Sequence, residues 1–141
     1  MEHNSNLKNK ILIIGCGRFG SSLANKFSSE GKNVMIIDGH PDRFDKLSDN
    51  FMGYKFIGDG TDISVLRKAH IDTANKLILT TGSDNANILI AYMARKIFDV
   101  PEIYVRLEDP ESETLLKGLN VKTIFPFELS FSEFQRIGGD K

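Results

Sequence analysis

Short apolar runs alternate with longer amphipathic stretches along this chain. Six runs carry the pattern: residues 10–15 (KILIIG), 33–38 (NVMIID), 54–58 (YKFIG), 76–81 (KLILTT), 102–107 (EIYVRL) and 121–125 (VKTIF). Continuous apolar runs of this length suit parallel strands covered on both faces. Between them, residues 19–30, 41–50, 62–69, 84–98 and 110–119 read as helices. In the first of these, Phe19, Leu23 and Phe27 recur every four residues, one stripe of a helix. Pro41 and Pro110 stand in first-turn positions. Thr61, Ser83 and Asp109 stand where N-caps are expected. A last helix over 128–137 follows Phe127 and carries Phe131 and Phe134, so that the three fall at i, i+4 and i+7.

Six strands alternating with helices predict an α/β, doubly wound Rossmann fold. Its six-stranded parallel sheet has the order 3-2-1-4-5-6, with helices on both faces. The expected organisation is a loose tail over 1–9, one domain over 10–137 and a short tail over 138–141. The length of 141 residues fits a single domain. At 40% hydrophobic and 26% charged residues, disorder, collagen and coiled coil are excluded as classes. Lys plus Arg number 18 against 19 Asp plus Glu, a net charge of −1. That balance argues against a nucleic-acid partner, which wants a basic excess or stripe.

The longest apolar runs, 11–14 and 88–94, fall far short of the ~18 residues a membrane span needs. Residues 1–10 lack the apolar segment of a signal peptide. Cys16 is the only cysteine, so no intrachain disulfide can form. The expectation is a cytoplasmic protein with no direct membrane insertion, acting at any membrane through a partner.

The chemistry concentrates in Gly15-Cys16-Gly17-Arg18-Phe19-Gly20, which fits G-x-G-x-x-G. The motif alone is weak, but here it follows an apolar strand and opens an amphipathic helix. The first glycine permits the tight turn, the second lets a pyrophosphate approach the backbone, and the third lets helix and strand pack closely. The helix N-terminus then offers free N–H groups and partial positive charge to phosphates. The bland alternative is a tight turn and helix start with no ligand. A P-loop is excluded, because Ser21 stands where its lysine is required.

Asp38, followed by Gly39, ends the second strand 18 residues after Gly20. A carboxylate there accepts ribose hydroxyls and repels a 2′-phosphate, favouring NAD or an adenine nucleotide over NADP. Arg18 can pair with a pyrophosphate or terminal phosphate. Asp59, with Gly60, either faces an adenine amine or serves as an ordinary acidic turn. Thr80, Thr81, Gly82, Ser83, Asp84 and Asn85 follow the fourth strand, across the cleft from the glycine loop at the topological switch point, with a helix cap as the bland alternative.

Other features weigh less. Cys16 is read as a small residue tolerated in the loop rather than a redox thiol. His3, His40 and His70 make no metal constellation. Tyr92 and Lys96 match the Y-x-x-x-K of short-chain dehydrogenases, but mid-helix, where Tyr92 shares a face with Ile88 and reads as core or interface.

The glycine loop with its internal arginine, Asp38, the 58–62 loop (GDGTD) leading to Leu66-Arg67-Lys68-Ala69, and Thr81 to Asn87 followed by Ile88-Leu89 occur in a recognisable order and spacing. In these the chain resembles the N-terminal lobe of the regulator-of-potassium-conductance family, the RCK, KTN or TrkA-N domain, over roughly residues 9–137. The resemblance implies a non-catalytic regulatory subunit that binds NAD or NADH, or ATP, ADP or AMP, and acts on a membrane potassium transporter or channel. It implies that Gly15, Cys16, Gly17, Arg18, Phe19 and Gly20 form the phosphate loop, with Asp38 and Gly39 at the ribose and Asp59 and Gly60 on the adenine side. Thr81, Gly82 and Arg106 would complete the site. It further implies a homodimer or higher oligomer through the C-terminal helix, which suits the phenylalanine stripe. Many members continue into a second lobe, so this chain is expected to be a stand-alone nucleotide lobe or an incomplete regulator. Two other classes remain open: a small NAD-dependent oxidoreductase using Tyr92 and Lys96, and an interaction module with a vestigial nucleotide site.

Overall fold

Strand β1 (Lys10–Ile14) is buried at every position, and that places it at the centre of the sheet. In the computed structural model, which describes residues 8–139, β1 pairs in parallel with β2 (Val34–Asp38) on one side and β4 (Ala74–Leu79) on the other. Strand β3 (Tyr54–Ile57) lies beyond β2, while β5 (Glu102–Arg106) and then β6 (Lys122–Ile124) lie beyond β4. The sheet is wholly parallel, in the order β3-β2-β1-β4-β5-β6 that the alternation predicts. Ile13 sits between Ile36 and Ile78, so the middle of the sheet is a band of branched side chains.

Successive residues of a strand point to opposite faces, and the core accordingly splits in two. On one face Leu12, Ile14, Leu77, Leu79, Ile103 and Val105 pack with Leu66, Ile90, Ala91 and Ala94. Those come from helices α2 (Ile63–Lys68) and α3 (Asp84–Lys96). On the other face Ile11, Ile13, Val34, Ile36 and Ile78 lie under Ala24, Phe44 and Leu47. Ala24 belongs to helix α1 (Arg18–Ser29). Each fully buried Ile or Leu contributes roughly 1.5–3 kcal/mol. Lys10, at the start of β1, is one of the buried polar residues. Its Nζ donates to the Ala69 carbonyl at 2.5 Å, closing the C-terminal end of α2. Burial pushes its pKa down, against the opposing charge of Asp72.

Two expected helices are shorter and tighter. Residues 41–50 form a 3₁₀ turn only over Pro41–Lys46, and 110–119 one over Pro110–Leu116. Each buries a single side chain, Phe44 or Leu116, which cannot hold a full amphipathic helix against the sheet. The cap of α2 is Asp62, not Thr61: the Asp62 carboxylate accepts from the Ser64 N–H at 2.9 Å. Ser83 and Asp109 do cap α3 and the Pro110 turn.

Helix α4 (Pro126–Ile137) follows β6 and buries no residue. Lys8 and Asn9, in the expected N-terminal tail, contact the Asp99 carbonyl and Asn33. The rest of that tail, residues 1–7, and the final residues 140–141 lie outside the described residues. Among the described residues, no helix is long and apolar enough to cross a membrane.

Candidate functional site

Where β1 ends, the chain turns on Gly15 at φ +108, a conformation that favours glycine. A Cβ on Gly15 would lie 2.8 Å from the Thr80 carbonyl carbon, and one on Gly20 would lie 1.9 Å from the Gly15 oxygen. These two glycines are therefore required by packing between α1 and the sheet. Gly17 differs. It is the extended N-cap of α1, and a Cβ there would meet nothing within 4 Å. No side chain caps α1 and no acid occupies its first turn. The positive end of its dipole faces the loop, where the Asp38 carboxylate takes the Cys16 N–H while the first-turn N–H groups of α1 carry no side-chain cap.

A cleft of about 630 Å³ opens over this loop, within the usual range for small-molecule sites. It lies at the carboxyl ends of the strands, above the neighbouring β1 and β4, from which the chain continues towards opposite edges of the sheet, to β2 and to β5. Six segments line it: residues 14–18, residues 37–40 with Arg43, residues 58–61, residues 80–83, Ala86 and Ile90 on α3, and Arg106 at the end of β5. All but two of the sequence-derived site residues come together here: Gly15, Cys16, Gly17, Arg18, Asp38, Gly39, Asp59, Gly60, Thr81, Gly82 and Arg106. Phe19 and Gly20 do not line it. Phe19 is half-buried on α1, and Gly20 lies beneath the loop against Gly15.

Asp38 is 5% exposed at the end of β2. Its Oδ2 accepts the Cys16 N–H and its Oδ1 the His40 N–H, both at 2.8 Å. Burial pushes its pKa up, but these two N–H bonds and the Arg43 guanidinium outweigh it and hold the carboxyl below the ordinary carboxylate range. An ionised acceptor is thus locked in place between the glycine loop and β2.

Arg18 is exposed and Arg106 half-buried, and the two guanidinium-bearing residues border the same cleft. Asp59 makes the acidic turn that sequence reasoning sets against an adenine role. Its Oδ1 accepts from the Thr61 N–H at 2.9 Å and the Thr61 hydroxyl at 2.7 Å, while it still lines the rim. The Cys16 thiol is fully buried and donates to the Arg43 carbonyl, at 3.4 Å. Burial and then the Asp38 charge raise its pKa, so it is not a reactive thiolate.

Sequence reasoning missed the part of Asn87. It is fully buried on α3, and its amide ties two cleft segments together. Oδ1 accepts the Thr81 N–H at 3.2 Å and the Thr81 hydroxyl at 2.6 Å, and Nδ2 donates to the Thr81 and Arg106 carbonyls at 3.2 and 2.8 Å. Its one signal in the sequence is an amide within the apolar stripe of a helix. Arg43 is a second such residue, because a position five residues beyond Asp38 carries no motif of its own.

Tyr92 lies outside the cleft, its hydroxyl donating to the Leu115 carbonyl at 2.5 Å, and Lys96 is not at the cleft either. The Y-x-x-x-K pair therefore cannot reach a ligand there, which removes that version of an oxidoreductase. Among the described residues no cluster of His, Cys, Asp and Glu could hold a metal ion.

Comparison with known proteins agrees with this architecture. The chain is 36% identical over 114 residues to the Trk system potassium uptake protein TrkA of Streptomyces coelicolor, covering 81% of this chain and 51% of that protein. It is 34% identical over 121 residues to a TrkA homolog of Pyrococcus horikoshii, covering 85% of this chain and 53% of the relative. The chain thus spans about half the length of these relatives. Among solved structures, the TrkA-N domain of the Escherichia coli inner membrane protein ybaL superposes with TM-score 0.78 at 21% identity, over 92% of this chain and 97% of that one. An AMP-bound Kef CTD of Shewanella denitrificans gives 0.71 at 23%, over 94% and 84%. A GsuK channel bound to NAD gives 0.70 at 20%, over 84% and 22%. At these identities the structures share the fold. The TrkA-N domain profile matches residues 11–126, and this chain belongs to the TrkA-N domain family.

Proposed function

We propose that this chain is the nucleotide-binding lobe of a regulatory subunit for a membrane potassium transport system. The observation that carries the reading is the convergence in one cleft of an uncapped helix N-terminus, an ionised and anchored Asp38, and the cationic Arg18 and Arg106. These groups fit an adenosine nucleotide. Gly17 leaves the backbone open for a phosphate, since no atom lies where its side chain would be. Arg18 and Arg106 supply positive charge at the cleft, and Asp38 retains lone pairs for ribose hydroxyls. Asp59, Gly60, Thr81 and Gly82 complete its walls. NAD or NADH is the ligand class, with ATP, ADP or AMP as the alternative; NAD and AMP occur in the GsuK and Kef relatives of the fold.

The role is binding rather than catalysis, and its output is a change of shape passed to a membrane partner. The potassium uptake names of the relatives support the transport system. On this reading the protein is cytoplasmic and reaches the membrane through that partner. Helix α4 supports self-association, because Phe127, Leu129, Phe131, Phe134 and Ile137 are all more than half exposed. Isothermal titration with NAD, NADH, ATP, ADP and AMP tests the reading. Binding tighter than millimolar by at least one of them is expected, and binding by none would refute it. Light scattering tests the second part: a strict monomer with and without nucleotide would count against assembly through α4.

A further inference from the structure

The ribose side of the cleft is more than Asp38. Arg43, in the 3₁₀ turn Pro41–Lys46 after β2, lines the cleft with its Nη1 3.5 Å from Asp38 Oδ2. Its side chain is 49% exposed while that of Asp38 is 3% exposed. The guanidinium therefore overlies the carboxylate on the solvent side. His40 lies on the other oxygen, with Nδ1 3.4 Å from Oδ1. Lys46 and Lys55 do not line the cleft, although their charges, with that of Arg43, oppose the Asp38 charge at the Cys16 thiol. Asp42 and Asp45 share the turn but do not line the cleft.

A lone carboxylate at this position repels a 2′-phosphate, and an arginine nearby accommodates one. This wall has both, arranged so that the cation is outermost. Tied to Arg43, the Asp38 carboxylate carries little net charge towards solvent. The guanidinium has five N–H donors in a fixed fork, more than one loose ion pair employs, and the fork matches a phosphate. We propose that Arg43 is a specificity-determining residue that lets the cleft accept an adenosine dinucleotide carrying a 2′-phosphate, NADP or NADPH, beside the unphosphorylated form. The inference rests on the nucleotide reading of the cleft and replaces the expectation that Asp38 alone excludes the 2′-phosphate.

Titration calorimetry of the whole chain with NAD, NADP, 5′-AMP and adenosine 2′,5′-bisphosphate tests it. In the unaltered protein NADP binds within about tenfold of NAD. Arg43→Ala weakens NADP and the bisphosphate by about tenfold or more, the scale of one charge-assisted hydrogen bond, and NAD and AMP by less than about threefold. Arg43→Lys, which keeps the charge without the fork, restores part of the loss. The proposal is overturned if the unaltered protein binds NAD but rejects NADP, or if Arg43→Ala weakens all four ligands alike. If none of the four binds, the nucleotide reading itself fails and takes this inference with it.

Discussion

Helices α1 and α4 are both twelve residues long and both amphipathic, yet they end in opposite situations. The first presses Gly20, Ser21, Ala24 and Ser28 against the sheet, and small side chains are what allow that approach. The second buries nothing and turns Phe127, Leu129, Phe131, Phe134 and Ile137 to the outside. Phe127 and Phe131 stack on each other, with centroids 6.2 Å apart, for want of a sheet to cover them. The comparison separates two meanings of an apolar stripe. On α1 the small-residue face is buried within the chain, with Leu23 and Phe27 of the apolar stripe partly buried beside it, and the helix end above is left free for a ligand. On α4 the stripe is an uncovered hydrophobic surface that suits a partner.

The largest expected effect breaks the packed helix. Gly20→Val places its side chain within 1.9 Å of the Gly15 oxygen, measured at Cβ, and against Thr80 Oγ1. Urea unfolding is expected to show a loss of about 3 kcal/mol or more, at the top of the overpacking range. A loss no greater than that of a surface substitution would show that α1 is not wedged against the loop.

Asp38→Ala addresses the site that α1 helps to form. Nucleotide affinity should fall by about 1–3 kcal/mol in a calorimetric titration, as for a hydrogen bond to a charged group. An unchanged dissociation constant would remove Asp38 from the ligand. The same carboxylate predicts an acid-side effect on stability. Its folded pKa lies below its unfolded value of ~3.9, so its contribution is present above that value and is lost as the pH falls through the lower folded one. Unfolding free energies measured from pH 5 to pH 2 should therefore decline more steeply for the unaltered chain than for Asp38→Asn. Parallel curves would mean that the backbone N–H bonds do not favour the ionised form.

The smallest effect on stability belongs to α4. Phe131→Ser with Phe134→Ser should change unfolding free energy by no more than about 0.5 kcal/mol per site, because both side chains are exposed. Light scattering should nevertheless show self-association weakened. A cooperative loss of stability comparable to that of Gly20→Val would erase the contrast between the two helices.

The strands were legible because a central parallel strand is apolar throughout: Ile11 to Ile14 cannot be mistaken for a solvated segment. Their order was legible because short connections and right-handed crossovers leave few alternatives. The two 3₁₀ turns were not, since Pro41 and Pro110 announce a helix start without revealing that within each turn only Phe44 or Leu116 is buried. Thr61 was a plausible cap until Asp59 claimed it and Asp62 took the role one residue later. The tie from Asn87 to Thr81 and to the Arg106 carbonyl reaches 19 residues along the chain, and no local pattern announces it.

By itself the sequence determined the chemistry that is local in the chain: strand, glycine turn, helix, and an acid at the end of the next strand. Backbone conformation and periodicity within about ten residues suffice for that. Only the tertiary structure decided what depends on neighbours distant in sequence. It decided that Gly15 and Gly20 are needed for packing while Gly17 is open, that Asp38 is anchored by Cys16 and overlain by Arg43, and that Tyr92 faces away from the cleft. Those outcomes depend on which side chains meet across the sheet, and the energy of a contact is set by the partner as much as by the residue.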